Sequence, residues 1–232
     1  MIELIFTTLT EKLTERVIEK VIDFIGENLK GNEGFILLSG GEKGIWDSQR
    51  PEEFELMIHY ANIGNFEKAK EYAKKLVEKY PKDPRSYLSL GMINSLSGNK
   101  KGAFENLKEA EKYLEKIKDN EEILKILLGL YYYLGSISID LGNMEEAESY
   151  FVRCLELADK LGNKKVKIGP LVNLATVYKR KQDYEKAEEF YKKAIELTDS
   201  EDERAVIYNN LGFLHLDKDE PDKAIEYFKK SV

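Results

Sequence analysis

Residues of the types that most often perform catalysis are sparse in this sequence. The two histidines, His59 and His215, lie far apart, and no acid, base or metal ligand stands at a useful spacing from either. Acidic pairs such as Glu145-Glu146 fall among lysines at helical spacing, which is typical of a solvated helix face. We therefore predict that the chain is not an enzyme and that it has no catalytic residues, metal site or cofactor.

The single cysteine, Cys154, excludes an internal disulfide and agrees with a reducing compartment. It stands where similar segments have Ala110 and Ala194, so it is interpreted as a small core residue rather than a nucleophile. No apolar run is expected to be long enough to span a bilayer, and residues 1–9 lack the basic start of a secretion signal. These features predict a cytoplasmic protein that does not bind membranes.

The charge balance of the chain bears on its partners. A net charge of -7 and a pI near 5.2 disfavour a nucleic-acid partner, because binding phosphates requires clustered Lys and Arg that acidic residues do not balance. Glutamine occurs only at Gln49 and Gln182, whereas Lys and Glu are abundant. This bias is reported for hyperthermophiles, so a thermophilic source is a hypothesis.

The stretch from Pro170 to Asp199 contains two apolar patterns with the spacing of a buried helical face. A short polar segment, Lys181-Gln182-Asp183, separates them. The two patterns consist of Leu171, Leu174, Ala175 and Tyr178, followed by Tyr184, Ala187, Tyr191 and Ala194. Because the connection is so short, the two helices must lie antiparallel and pack on each other. This segment is predicted to be a helical hairpin.

The same hairpin pattern recurs through the chain, with similar residues at fixed places. The polar turn returns at Gly64-Asn65, Gly98-Asn99, Gly142-Asn143, Gln182-Asp183 and Asp219-Glu220. An alanine follows each turn at the same distance: Ala69, Ala103, Ala147, Ala187 and Ala224. A small residue precedes four of the five turns: Gly91, Gly135, Ala175 and Gly212, with Met57 the exception. A glycine within a helix lowers stability by about 0.5–1 kcal/mol relative to alanine, so its recurrence at one position requires a packing reason. Close approach of two helices is such a reason, because glycine has no side chain.

These residues resemble the signature of the tetratricopeptide repeat family. A leucine precedes each small residue, as in Leu90-Gly91 and Leu134-Gly135, and a large apolar residue follows the alanine in four copies. Those large residues are Leu107, Phe151, Tyr191 and Phe228. The longer copies, with Asn173-Leu174-Ala175, are similar to kinesin light chain repeats. The resemblance implies an all-α, right-handed α-solenoid of five helical hairpins that acts as a binding scaffold.

The predicted domains are an N-terminal segment, residues 1–49, and a repeat array, residues 50–232. The five repeats are predicted at about 50–83, 84–119, 120–163, 165–200 and 203–232. The N-terminal segment should contain a capping helix that ends near Lys30 and then a Gly-rich loop. Within this loop, Leu38-Ser39-Gly40-Gly41-Glu42 matches the signature peptide of ABC-type ATPases. The chain has no phosphate-binding GxxxxGK[ST] loop, so nucleotide binding is only a remote alternative.

First helices are expected to line the concave side of such a stack. The predicted peptide- or partner-binding residues there are Tyr132, Tyr133, Ser136, Asn173, Thr176, Arg180, Asn209, Asn210 and Phe213. In the family that the chain resembles, asparagines at the Asn173 and Asn210 positions hold a peptide backbone, because a carboxamide pairs with both C=O and N–H. The alternative is that each asparagine satisfies neighbouring backbone groups or water.

The leading functional hypothesis is a scaffold or adaptor that binds a peptide or partner protein in this groove. The second is a self-assembling protein, a homo-oligomer joined through its uncapped C-terminal hairpin or its first helix. The two hypotheses differ in the surface that they use and in the expected mass of the protein in solution.

Overall fold

A computed structural model describes residues 51–117 and 121–232 of the chain. The predicted capping helix, the Gly-rich loop and its Leu38–Glu42 motif lie outside these residues. The described part is helical and contains no strand. Its helices are α1 Glu52–Asn62, α2 Phe66–Lys79, α3 Pro84–Leu96, α4 Lys100–Leu114, α5 Glu121–Asp140, α6 Met144–Lys160, α7 Ile168–Arg180, α8 Tyr184–Leu197, α9 Glu201–Asp217 and α10 Pro221–Lys230.

Consecutive helices form the five expected hairpins: α1–α2, α3–α4, α5–α6, α7–α8 and α9–α10. The chain divides into two compact units, one ending at Ile123 and the other running from Leu124 to Val232. In the first unit, α2 also packs against α3. In the second, α6 packs against α7 and α8 against α9. Each unit is therefore a stack of hairpins, as in an α-solenoid.

Each hairpin turns through one residue in the left-handed region, which normally favours glycine. Three of these residues are glycines, with φ between 74° at Gly64 and 81° at Gly142, but Gln182 has φ 62° and Asp219 has φ 59°. The next N–H returns to the last turn of the preceding helix, as in the 2.8 Å bond from Asn65 to Tyr60 O. The same bond joins Asp183 to Tyr178 O at 2.9 Å and Glu220 to His215 O at 2.8 Å. The same turn geometry therefore forms whether the left-handed residue is a glycine or another residue.

The alanine after each turn lies at the centre of its hairpin. Ala69, Ala103, Ala147, Ala187 and Ala224 are all 0% exposed, which confirms the repeat register. Cys154 is also 0% exposed, and its Sγ lies 3.5 Å from Leu128 O across the α5–α6 hairpin. Burial raises the pKa of its thiol well above the ordinary value, so little thiolate forms. Cys154 is therefore a core residue, as predicted.

The small residues of the first helices are notches for large side chains of the second helices. A Cβ added to Gly91 would lie 2.8 Å from Leu107, and a Cβ added to Gly135 would lie 2.8 Å from the Phe151 ring. At Gly212 the added Cβ would overlap the Phe228 ring. The close helix approach predicted from the recurring glycines is therefore confirmed at these three positions.

Candidate partner-binding surface

The predicted site residues belong to the first helices α5, α7 and α9 of the unit that runs from Leu124 to Val232. We call them the first-helix surface. It comprises Tyr132, Tyr133, Ser136, Asn173, Thr176, Arg180, Asn209, Asn210 and Phe213. Their burial differs: Tyr133 is only 7% exposed and lies in the core, Arg180 is exposed, and the others are half-buried.

On α5, Tyr132 occupies the edge of the core. Its ring meets Phe151 edge to face, with centroids 5.9 Å apart, and its hydroxyl hydrogen-bonds with the Asn173 side chain of α7. Burial raises the pKa of the Tyr132 hydroxyl, and the bond with Asn173 opposes that rise. Ser136 Oγ donates to Tyr132 O at 3.0 Å. Tyr132 and Asn173 thus form one polar pair that joins consecutive first helices.

On α7, Thr176 and Arg180 are both fixed by hydrogen bonds. Thr176 Oγ1 donates to Val172 O at 3.1 Å. Burial raises the pKa of the Tyr191 hydroxyl to about 12, and Thr176 opposes that rise. Arg180 Nη1 donates to Ile139 O at 2.9 Å, at the end of α5. The guanidinium of Arg180 therefore holds the C-terminal ends of α5 and α7 together.

On α9, Asn209 has an unmet hydrogen-bonding requirement. Its Nδ2 is buried and has no hydrogen-bond partner within the described ranges, 51–117 and 121–232. Buried amide donors normally have an acceptor. Phe213 packs edge to face on Phe228, with centroids 5.3 Å apart, and Asn210 is half-buried. The α9 part of the surface thus combines carboxamides with an aromatic side chain.

A polar cluster between hairpins was missed by the sequence analysis, which placed the Lys and Glu residues on solvated faces. Lys181, at the end of α7, lies 2.7 Å from Glu148 and 3.3 Å from Glu145 of α6, and Tyr178 donates a hydrogen bond to Glu148. The next junction repeats this arrangement, with Lys218 lying 3.3 Å from Glu185 and 3.7 Å from Glu188. The sequence does contain a signal for this cluster. Two glutamates stand three residues apart in the second helix, and a lysine directly precedes the left-handed residue of the next turn.

His215 was expected to have no acidic partner, and that expectation is wrong. Its ring is 2% exposed and stacks on Tyr227, with centroids 5.1 Å apart. Its Nδ1 lies 2.6 Å from Glu220 Oε2, and its Nε2 lies 3.8 Å from Glu188 Oε2. His215 occupies the position that Tyr178 has in the preceding hairpin, so it takes part in holding α9 on α8. Among the described residues, no group of three or more His, Cys, Asp or Glu could hold a metal ion.

The α6–α7 junction should lose stability in acid. Burial raises the pKa of Glu148, but hydrogen bonds from Lys181 and Tyr178 outweigh it, so its folded-state pKa lies below its ordinary value. A carboxylate with a lower pKa in the folded state than in the unfolded state, where it is about 4.3 for Glu, stabilises the fold at pH values above the unfolded-state pKa. This contribution is lost as the pH falls through the folded-state pKa. We expect Lys181→Met to cost about 0.5–1 kcal/mol at pH 7 and less at pH 3.

Urea unfolding of both proteins at pH 7 and pH 3 measures this difference. The matched control is Lys193→Met, since Lys193 pairs with Glu189 within α8 at 2.6 Å and joins no second helix. If Lys181→Met lowered the free energy of unfolding equally at pH 7 and pH 3, ionised Glu148 would not be the partner that makes Lys181 stabilising.

Helix α5 corrects the expectation that no apolar run is long enough to span a bilayer. The segment Ile123–Asp140 passes a test of length and composition, with a mean hydropathy of 1.3 over 18 residues. In this structure 56% of that window is buried, and Tyr131 packs on Tyr150 of α6 with centroids 5.9 Å apart. Here the apolar surface of α5 forms the core of a hairpin.

Known proteins share both the sequence pattern and the fold. The tetratricopeptide repeat signature matches residues 57–83, 127–200 and 168–232. The outer dynein arm-docking complex subunit 4 of Danio rerio is 26% identical over 194 residues, which is 81% of this chain and 38% of that protein. The chain spans between 15% and 38% of the length of the curated relatives it matches.

Two solved structures show the same fold. A putative kinesin light chain of Podosopora anserina with nearly identical TPR-like repeats has a TM-score of 0.63 and 16% identity, covering 77% of this chain and 91% of its own. YrrB, described as a TPR protein with an unusual peptide-binding site, has a TM-score of 0.58 and 17% identity, covering 78% and 83%. With ten described helices in register, the chain belongs to the tetratricopeptide repeat family.

Proposed function

We propose that the chain is an adaptor that binds a peptide or an extended segment of a partner protein across α5, α7 and α9. The repeat fold supports a role in protein–protein interaction. Binding across these three helices is supported by the buried Nδ2 of Asn209, which has no acceptor within the described residues. The Asn209 side chain as a whole is half-buried, so a rotation that brings Nδ2 to the surface would let it donate to a peptide carbonyl, and a carboxamide can pair with both polar groups of a peptide backbone.

The neighbouring groups favour a neutral, extended ligand. Tyr132 and Asn173 offer a hydroxyl and a carboxamide that already contact each other, and the half-buried Phe213 offers an apolar side chain. The nearby cations are engaged, because Arg180 donates to Ile139 O and Lys179 lies 2.9 Å from Asp217. Recognition therefore depends on backbone hydrogen bonds and apolar contacts more than on charge.

Combined Asn173→Ala and Asn210→Ala substitutions test this proposal. A partner recovered by pull-down with the intact protein should bind the double variant at least tenfold more weakly in titration calorimetry. The matched control is Glu189→Ala with Lys193→Ala, an exposed pair on α8. Equal affinity for both variants would remove the first-helix surface from the account.

We also propose that the chain acts in the cytoplasm and without catalysis. The chain has a single cysteine, Cys154, which is buried and forms no disulfide, and this supports the first statement. The family supports the second. Nucleotide binding through the Leu38–Glu42 motif is the remote alternative, and calorimetry with ATP and Mg²⁺ decides it.

A second candidate function is self-assembly through the terminal hairpins. The exposure of Ile225, which is 52%, favours it, because a large apolar side chain on an outer helix face is a common mark of an interface.

A further inference from the structure

Two first helices differ in how far one of their faces is buried. The notch residues Gly91 of α3 and Ala175 of α7 set a common register for the two helices. The equivalent positions are Leu88 with Val172, Ser89 with Asn173, and Met92 with Thr176. We call the three residues of α3 the inner face of α3. They are 5%, 4% and 7% exposed, whereas the three residues of α7 are half-buried.

Packing between neighbouring hairpins does not account for this difference. Helix α7 packs against α6 and α8, and Arg180 bonds to the end of α5. Leu171 of α7 also shares a core cluster with Ile207 of α9. Helices therefore surround α7 except at the first-helix surface, where its residues stay half-buried. The equivalent face of α3 requires a further cover.

That cover must present apolar groups. The inner face carries two large apolar side chains, Leu88 and Met92, and Phe54 of α1, at the position equivalent to Leu88, is 3% exposed. Polar groups placed against these side chains would lose water without gaining hydrogen bonds. The helices α1–α4 of this unit are already paired in two hairpins. The cover therefore comes from outside these hairpins.

The 50 residues that precede Pro51 enter the described part of the chain on this side. Pro51 stands three residues before Phe54, so the two lie on one face at the start of α1, and Pro51 is buried. The preceding chain thus arrives at α1 beside a residue that needs covering.

Residues 10–30 have a sequence pattern that fits an apolar groove. Leu13, Val17, Val21 and Ile25 recur every four residues, which predicts an amphipathic helix with one apolar stripe. Such a stripe must be buried against another apolar surface, and an amphipathic helix laid into a groove is a common way to do so.

The length of the connection allows this placement. The 20 residues from 31 to 50 can extend over at most about 70 Å. The 13 residues of α3 form a helix about 20 Å long. The connection is therefore long enough for residues 10–30 to lie along the inner face of α3 in either direction.

We propose that residues 10–30 cover the inner face of α3 and Phe54 of the same chain, with the Leu13–Ile25 stripe against Leu88 and Met92. The N-terminal helix predicted from the sequence then fills, in the first unit, the surface that corresponds to the first-helix surface of the second. A partner must displace this segment to bind α3. The proposal uses no residue of the first-helix surface, so either one can fail its test without the other.

Photo-crosslinking of the intact chain tests the proposal without any substitution. Photo-methionine replaces the four methionines, Met1, Met57, Met92 and Met144, and mass spectrometry maps the products of the monomer band. Met92 should form products with residues 10–30, and Met144 of α6 should form none with them. Products of Met92 that never include residues 10–30, or that join it to them only between two chains, would overturn the proposal.

Thiol reactivity at equivalent positions of the full chain gives a second measurement. Met92→Cys and Thr176→Cys are compared, and the native Cys154 is silent because it is buried. The thiol at position 92 should react at least tenfold more slowly than the thiol at position 176. Adding Val17→Asp and Val21→Asp should bring the two rates within about threefold of each other.

The matched control replaces two residues on the polar side of the same predicted helix, Glu15→Ala with Glu19→Ala, and should leave position 92 protected. Circular dichroism and an unreactive Cys154 show that the array stays folded. Equal rates at positions 92 and 176 in the otherwise intact chain would overturn the proposal. So would protection of position 92 that survives the two aspartates.

Discussion

Replacing Phe151 with alanine is expected to destabilise the protein by about 3–5 kcal/mol. Phe151 is 0% exposed and is the largest of the fully buried side chains in the described residues. It fills the notch at Gly135, contacts the Tyr132 ring and belongs to a core cluster with Leu174 and Val177 of α7. One truncation therefore leaves a cavity that touches three helices, α5, α6 and α7.

Urea unfolding followed by circular dichroism measures this cost. The control is Val152→Ala at the next position, where the side chain is 41% exposed and the expected change is below about 0.5 kcal/mol. Comparable costs for the two substitutions would mean that Phe151 does not hold the α5–α6 hairpin together.

Replacing Gly135 with alanine is expected to cost about 1–3 kcal/mol through overpacking. Helix propensity alone predicts the opposite sign, since alanine is favoured over glycine by about 0.8–1 kcal/mol in a helix interior. The contact with Phe151 reverses the sign, because the new Cβ would lie 2.8 Å from a ring that is fully buried and has no room to move away.

A double-mutant cycle tests the cause. In a Phe151→Ala background the clash is gone, so Gly135→Ala should become neutral or stabilising, and Ser136→Ala serves as the control on the same helix. A Gly135→Ala cost that persists without the Phe151 ring would mean that the glycine has another role.

Much of the fold could be predicted from the sequence because the pattern repeats. The turns, the five buried alanines and the notches at Gly91, Gly135 and Gly212 depend on local sequence and on one hairpin geometry. Even Gln182 and Asp219, which are unusual in the left-handed region, occupy their turns because the surrounding hairpins determine the backbone there.

The side-chain network could not be predicted in the same way. Whether Lys181 points to solvent or to Glu148 depends on the rotation of α7 against α6, which the helical period of either helix leaves open. The acidic partners of His215 come from α8 and from the turn before α10, and they are likewise set by packing. On α5, Tyr132 and Tyr133 are neighbours on a helix that is apolar over most of its surface. The pattern therefore did not indicate that Tyr133 lies in the core.

If a partner lies on the first-helix surface, photo-crosslinking should capture its contact with α7. A photo-reactive phenylalanine at position 176 on α7 is compared with the same residue at position 189 on α8, each with the partner recovered by pull-down. We expect a covalent product from position 176 that disappears in the Asn173→Ala, Asn210→Ala variant, and none from position 189. Products of equal yield from both positions, or from position 189 alone, would contradict it.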